Sequence, residues 1–216
     1  MSLAAVNRTT LREQVVESLR AAILDGTFEP GMKMAEVDLA TQFGVSRGTV
    51  REALRTLHNS GLLEGSERNS LFVRKLTRRD VRELFEVRSA LEGQALTTIM
   101  ESPRVDETID ELQNSLPESE PGMTYPQRFE LDLEFHERLV TLSENRMLIS
   151  LWNGIKDLMR ITVLALADES VASTMSKDHH LPIIDAMRTG DVVRARAEMS
   201  AHMASASVLW GAKVDG

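Results

Sequence analysis

The chain has 216 residues, 42% hydrophobic but only 4% aromatic, a balance that favours helices over a large β-sandwich and suits two small domains. It has no cysteine, which excludes a disulfide framework, a thiolate zinc site and a cysteine nucleophile, and fits a reducing, cytoplasmic setting. The net charge of −8 is unevenly spread: residues 1–76 carry +1 and the remainder −9, so the acidity does not exclude a basic, phosphate-binding surface near the N-terminus. No apolar run approaches the ~18 residues of a membrane span.

Thr10-Leu11-Arg12-Glu13 has the form of a capping box. Leu11, Val15, Leu19 and Ile23 then recur every fourth residue, one apolar stripe of a helix that Gly26 ends. Phe28 to Gly31 reads as a turn. A second helix is predicted over 35–42, with Val37, Leu39, Ala40 and Phe43 as its apolar face. Gly44 permits a tight turn, and Ser46 suits the N-cap of a third helix that runs to Ser60 and buries Val50, Ala53, Leu54 and Leu57. Two short helices across such a turn form a helix-turn-helix.

The outer face of the third helix carries Arg47, Arg51 and Arg55 at i, i+4 and i+8. Guanidinium groups suit phosphate oxygens and the guanine edge, and Ser46 and Thr49 add small donors at the helix N-terminus. Arginines on a helix face are more often merely solvated, and it is the preceding helix and turn that favour DNA contact. Leu62–Glu64 and Leu71–Lys75 read as two strands joined by a polar tip with Arg68 and Asn69, a wing placed to reach DNA beside the recognition helix.

Thr77 to Asp80 caps a further helix. Amphipathic segments follow at about 78–101, 104–115, 124–144, 147–167, 170–188 and 190–210, without strand-like alternation, and predict an antiparallel helical bundle. The expected architecture is thus mainly α: a winged helix-turn-helix over residues 1–76 and an all-helical domain over 77–216. Asp132 and His136 share a helix face at i, i+4, while His180 and His202 lie on two other helices. One carboxylate and three imidazoles from facing helices suit a divalent transition metal, with Zn²⁺ and Ni²⁺ both compatible. A histidine on an apolar face is more often a hydrogen-bonded core residue, and spacing alone leaves both readings open. His179 is expected to point elsewhere, and His58 to sit at the surface of the third helix.

The run Glu36-Val37-Asp38-Leu39-Ala40, then Val45-Ser46-Arg47-Gly48-Thr49-Val50-Arg51-Glu52-Ala53-Leu54-Arg55, resembles the DNA-binding domain of GntR-family bacterial regulators. The resemblance implies that Arg47 and Arg51 are the main DNA-contacting arginines. Val37 stands where many members carry arginine, and Ser70 where many carry glycine at the wing tip. The C-terminal segment resembles the FadR-type, all-helical FCD effector domain in Val87–Glu92, Asp132–His136, His180–Met187 and Ala195–His202. By that resemblance Asp132, His136, His180 and His202 hold a metal, zinc first, beneath a cavity for an organic-acid effector, and Arg88 clamps its carboxylate. On spacing alone Arg88 could equally be a surface ion pair with Glu92.

The expected protein is a homodimeric regulator that binds operator DNA, answers to a small carboxylate, makes no membrane contact and is not an enzyme. A metal with these ligands could activate water, but no separate general-base motif accompanies it and a DNA-binding module precedes it. An alternative is a regulator for which the metal is the signal. A third is that the bundle serves only as a dimerisation scaffold.

Overall fold

Thr10 opens the first helix as expected: its hydroxyl accepts from the Glu13 N–H at 3.2 Å, and the Glu13 carboxylate accepts from the Thr10 N–H at 2.6 Å. The computed structural model describes residues 10–66, 70–120, 122–166 and 173–214. In it the chain divides into two compact units, Met1–Lys75 and Leu76–Gly216, against the 76/77 boundary read from sequence.

The N-terminal unit contains α1 (Leu11–Leu24), α2 (Glu36–Phe43), α3 (Arg47–Asn59), β1 (Leu63–Ser66) and β2 (Ser70–Val73). Val15, Leu19 and Ile23 of α1 are buried with Val50, Ala53, Leu54 and Leu57 of α3. Two expected core residues are instead exposed. Leu11, 55% exposed, stands at the first helical position, a turn before the buried stretch. Val37, 54% exposed, lies two positions from the buried Leu39, roughly 200° around the helix from it. Gly44 takes the left-handed conformation (φ 63°) that ends α2, and the Ser46 hydroxyl caps α3 by accepting from the Thr49 N–H at 3.1 Å.

β1 and β2 pair antiparallel in the register Leu63↔Val73 to Ser66↔Ser70, one or two residues nearer the tip than the sequence suggests. A third rung appears that alternation could not announce. Lys33 bridges to Phe72, with Gly31 N–H on Val73 O at 2.8 Å and Met34 N–H on Leu71 O at 2.9 Å. The chain leaving the turn at Phe28–Gly31 is thereby tied to the hairpin, and Lys33 is carried to the foot of α2.

In the C-terminal unit the described helices are α4 (Arg78–Met100), α5 (Val105–Asn114), α6 (Tyr125–Leu142), α7 (Arg146–Leu166), α8 (Lys177–Arg188) and α9 (Val192–Val214). α4 lies along α9 and also packs on α6 and α7, while α8 packs on α9 and α5. The core includes Leu96, Phe129, Phe135, Trp152, Met159, Ile184 and Met203, and Phe85 and Phe129 meet Trp210 at 5.5 and 5.6 Å between ring centroids. Two helix starts differ from expectation. α8 begins at Lys177, after a short 3₁₀ turn at 173–175, rather than at 170; residues 167–172 lie outside the described ones. α9 begins at Val192 because Asp191 accepts from the Arg194 N–H at 3.0 Å, and it continues to Val214. Among the described residues no helix is long and apolar enough to cross a membrane.

Candidate functional site

Four helices of the C-terminal unit converge on one polar cluster in an apolar core. α6 contributes Asp132 and His136 one turn apart, α8 contributes His180, α9 contributes His202, and α4 contributes Arg88 and Glu92. All six are buried, which is unusual for charged side chains without partners or a ligand. His136, His180 and His202 each offer a ring nitrogen, and these three atoms lie within 4.8 Å of one another. The Asp132 carboxylate joins them, with Oδ1 3.1 Å from His180 Nε2 and Oδ2 3.7 Å from His136 Nε2.

The hydrogen bonds behind the rings orient them. His180 Nδ1 donates to the Ser176 carbonyl at 2.8 Å, and His136 Nδ1 donates to Glu92 Oε2 at 2.5 Å. With the ring protons held there, both Nε2 atoms present lone pairs to the centre, 3.2 Å apart. Burial, reinforced by the Arg88 charge, holds the His136 imidazolium well below its ordinary pKa. Burial and the His136 and His180 rings do the same for His202. Burial opposes ionisation of Asp132, but the His136 and His180 imidazoles and Arg88 outweigh it, and its pKa falls below the usual value. A neutral His136 and His202 beside an ionised Asp132 are in the protonation states that metal ligands require.

Asp132, His136 and His180 are spaced as donors to a divalent transition ion would be, with a His202 nitrogen within 4.8 Å of the other two rings' donors. Bonds of about 2.0–2.1 Å at tetrahedral angles imply donor–donor edges of about 3.3–3.4 Å. The separations of 3.1, 3.2 and 3.7 Å among Asp132, His136 and His180 bracket that value. With both Nδ1 atoms engaged away from the centre, Asp132, His136 and His180 turn donor atoms toward one point, and a cation there would satisfy them together. His202 Nδ1 is also buried without a hydrogen-bond partner among the described residues. His179, expected to point away, has its ring 4.7 Å from that of His202, and its Nε2 is buried and unpartnered, but it stays outside the three converging nitrogens.

Arg88 is 2% exposed, so its i, i+4 pair with Glu92 is a core pair and not a surface one. Its Nε donates to Glu92 Oε1 at 3.1 Å, and its guanidinium lies over Phe85 and Trp152 at 5.1 and 5.5 Å. Arg88 Nη2 and Trp152 Nε1 are buried donors with no acceptor among the described residues. Burial pushes the Glu92 carboxyl up to about 7 against the opposing pull of Arg88. Sequence spacing pairs Glu92 with Arg88 but does not reveal that the other oxygen of the same carboxylate orients His136, a residue 44 positions later.

In the N-terminal unit, Arg47, Arg51 and Arg55 are exposed along α3 as their spacing predicts. The Ser46 hydroxyl is engaged as a cap and lies 2.9 Å from the Thr49 hydroxyl. Arg55 meets Glu52 at 3.3 Å. Arg51 is gripped from α2: its Nε donates to Glu36 Oε1 at 3.0 Å and its Nη2 to Glu36 Oε2 at 2.9 Å. A groove of about 290 Å³ runs past this pair, lined by Lys33, Glu36, Arg51, Arg55 and Ser70 among others. Arg68 and Asn69 at the wing tip lie outside the described residues.

Comparison with known proteins agrees with this two-part organisation. Residues 11–73 match the description "Bacterial regulatory proteins, gntR family", and residues 83–205 match "FCD domain". The chain is 32% identical over 194 residues to the uncharacterised HTH-type transcriptional regulator YdhC of Bacillus subtilis, covering 88% of this chain and 86% of that protein. It is 30% identical over 203 residues to a protein of Paenarthrobacter nicotinovorans named "Probable D-xylose utilization operon transcriptional repressor", covering 93% of this chain and 88% of that one. A crystal structure of a GntR transcriptional regulator from Rhodococcus sp. RHA1 shares the fold, with a TM-score of 0.67 at 23% identity, over 92% of this chain and 96% of that one. Both curated relatives are named as regulators and neither as an enzyme. The chain belongs to the GntR family of bacterial regulatory proteins, with an FCD domain behind its helix-turn-helix, and is a DNA-binding transcriptional regulator.

Proposed function

We propose that this regulator's operator affinity is set by a small organic acid bound over a divalent metal in the helical unit. The observation that carries the proposal is the pair of buried donors without acceptors, Arg88 Nη2 and Trp152 Nε1, with Arg88 joined through Glu92 to the His136–His180–His202 cluster. A buried guanidinium N–H left without an acceptor is costly, and a carboxylate supplies two acceptor oxygens and the opposite charge. Asp132, His136, His180 and His202 would hold the metal, with zinc favoured by the donor set and nickel compatible. When bound, such an ion would supply positive charge and Lewis acidity toward carboxylate oxygens. Arg88 fixes the acid's charge and orientation, while Phe85 and Trp152 shield it from water. This site belongs to a FadR-type regulator acting in the cytoplasm as a homodimer, with two copies of α3 engaging two half-sites of a roughly palindromic operator. Arg47, Arg51, Arg55 and Thr49 face the DNA.

Regulation of this kind requires the acid to bind the DNA-competent and DNA-incompetent states with different affinity. Reciprocity then demands that operator DNA change the acid's affinity by the same factor. The direct test is thermal unfolding of the purified protein against a panel of organic acids, with and without chelator. Sugar acids come first, because two relatives, each 27% identical, are named as gluconate operon repressors. A ligand specific for the native state adds about 2.7 kcal/mol at a hundredfold excess over its Kd. A shift for one acid that disappears with chelator and in Arg88→Ala supports the proposal. No shift for any acid refutes the effector reading. In that case, operator affinity that follows free metal alone would identify the ion as the signal, a reading favoured by the fully buried four-donor cluster.

A further inference from the structure

The grip of Glu36 on Arg51 gives the recognition helix a feature that α3 alone does not contain. We infer that Glu36 is a positioning residue for base recognition: it fixes Arg51 so that the far end of the guanidinium reads a guanine. The inference rests on the reading that Arg51 faces DNA.

A guanidinium has five N–H donors in one plane. Glu36 takes two of them along one side, Nε at 3.0 Å and one Nη2 proton at 2.9 Å. The remaining edge, formed by Nη1 and the second Nη2 proton, has the spacing that matches guanine O6 and N7. The carboxylate comes from α2, across the helix-turn-helix, so it holds the guanidinium against an element other than its own helix. The Arg51 side chain stays 54% exposed, so the pairing leaves its outer end in solvent, and the Glu36 side chain is the more covered partner at 27%. A long arginine side chain normally gives up considerable rotamer freedom on fixing to a base, and a preset fork has less to lose.

The sign of the expected effect separates positioning from simple electrostatics. A carboxylate near a polyanion weakens binding through charge alone, so its removal should strengthen non-specific association. If Glu36 presets Arg51, its removal should at the same time weaken base discrimination. The experiment is selection from a randomised duplex library by the full-length wild type, Glu36→Ala, Glu36→Gln and Arg51→Ala, with affinities for a selected and a scrambled duplex measured at fixed salt. Glu36→Ala is expected to lose on the order of tenfold in preference for guanine at one position per half-site, while scrambled-duplex affinity holds or rises. Glu36→Gln, which keeps one acceptor oxygen, should fall between, and it serves as the test if the alanine variant does not fold. If Glu36→Ala and Glu36→Gln both keep the wild-type guanine preference while Arg51→Ala loses it, the positioning role is wrong and Arg51 reads the base unaided. If Arg51→Ala also keeps the preference, the reading of Arg51 as a base contact fails first and the inference falls with it.

Discussion

Glu92→Gln is the perturbation that tests the proposed metal centre most sharply, because it changes no proposed ligand. In the native protein one Glu92 oxygen accepts from His136 Nδ1 at 2.5 Å and the other from Arg88 Nε at 3.1 Å, all of them buried. A glutamine of the same shape has a single acceptor for these two donors. Whichever way its amide turns, its NH₂ group faces either the His136 N–H or the Arg88 N–H. One buried donor is left unsatisfied, at about 1–3 kcal/mol of stability. Asp132 remains as a counter-charge felt by Arg88, so the larger penalty of about 3–5 kcal/mol for a stranded buried charge should not apply in full. Loss of such an orienting partner commonly weakens a metal site by about 10–100-fold, roughly 1.4–2.7 kcal/mol. Competition titration of Zn²⁺ against a chelator gives the affinity, and a denaturant melt gives the stability. A weakened site with modest destabilisation is the expected result. Lower stability with unchanged zinc affinity would show that Glu92 supports the core without orienting His136, and the tautomer argument for the centre would be wrong.

His180→Ala should lower metal content, read by mass spectrometry of the purified protein, and leave the N-terminal unit folded; full occupancy would remove His180 from the ligand set. Gly65 sits at φ +111° in the wing, where an added Cβ would stand 2.4 Å from the Ser70 carbonyl oxygen, so Gly65→Ala should destabilise the N-terminal unit by more than about 1 kcal/mol in urea melts. Leu54, 2% exposed between α3 and its neighbours, should cost about 2–5 kcal/mol as alanine by the same assay, and a much smaller loss would mean that the site collapses around the missing atoms. The Glu36 carboxyl, held below its ordinary value first by its hydrogen bond to Arg51, should titrate low in an NMR experiment and return upward in Arg51→Ala. Because its folded pKa is depressed, its contribution to stability is present above the ordinary carboxylate range and lost as pH falls through the depressed value.

Much of the fold is legible because helix ends carry their own chemistry. Thr10 with Glu13, Thr77 with Asp80, and Ser46 before α3 mark starts that the structure places at those caps. Apolar periodicity locates the buried face of α3 but fails for Leu11 and Val37, since a hydrophobic residue at a helix end or on its far side satisfies the pattern without finding a partner. The rung through Lys33 is a single bridge, too short for alternation to register. In the candidate centre, Asp132 and His136 are visible as a helical pair, and His180 and His202 only as chemically suitable residues elsewhere. Glu92 and Glu36 escape sequence reasoning because their partners lie 44 and 15 positions away on other helices, and nothing local marks a carboxylate as the support of a distant side chain.

These two carboxylates do the same mechanical work under opposite electrostatic conditions. Glu36 holds Arg51 by one edge, and Glu92 holds both Arg88 and His136, each leaving the other edge of its partner for a ligand. At the protein surface water keeps the charged carboxylate cheap, so the Arg51 hydrogen bond dominates and the Glu36 pKa falls. In the core, loss of water dominates, and the Glu92 carboxyl rises to about 7 although a guanidinium touches it. The surface pair therefore needs no ligand to be stable, and its free edge remains solvated, open to the DNA contact proposed for it. The buried cluster cannot use water in that way, and Arg88 Nη2 and Trp152 Nε1 remain without acceptors. By this reasoning the Arg51–Glu36 pair should already be formed without DNA, whereas the helical unit should become more ordered with any ligand that completes its centre. Hydrogen exchange would separate the two: protection in α3 should change little when effector binds, and protection in α4, α6, α8 and α9 should rise. Equal gains in both units would mean that the buried cluster is not where the ligand's binding free energy is taken up.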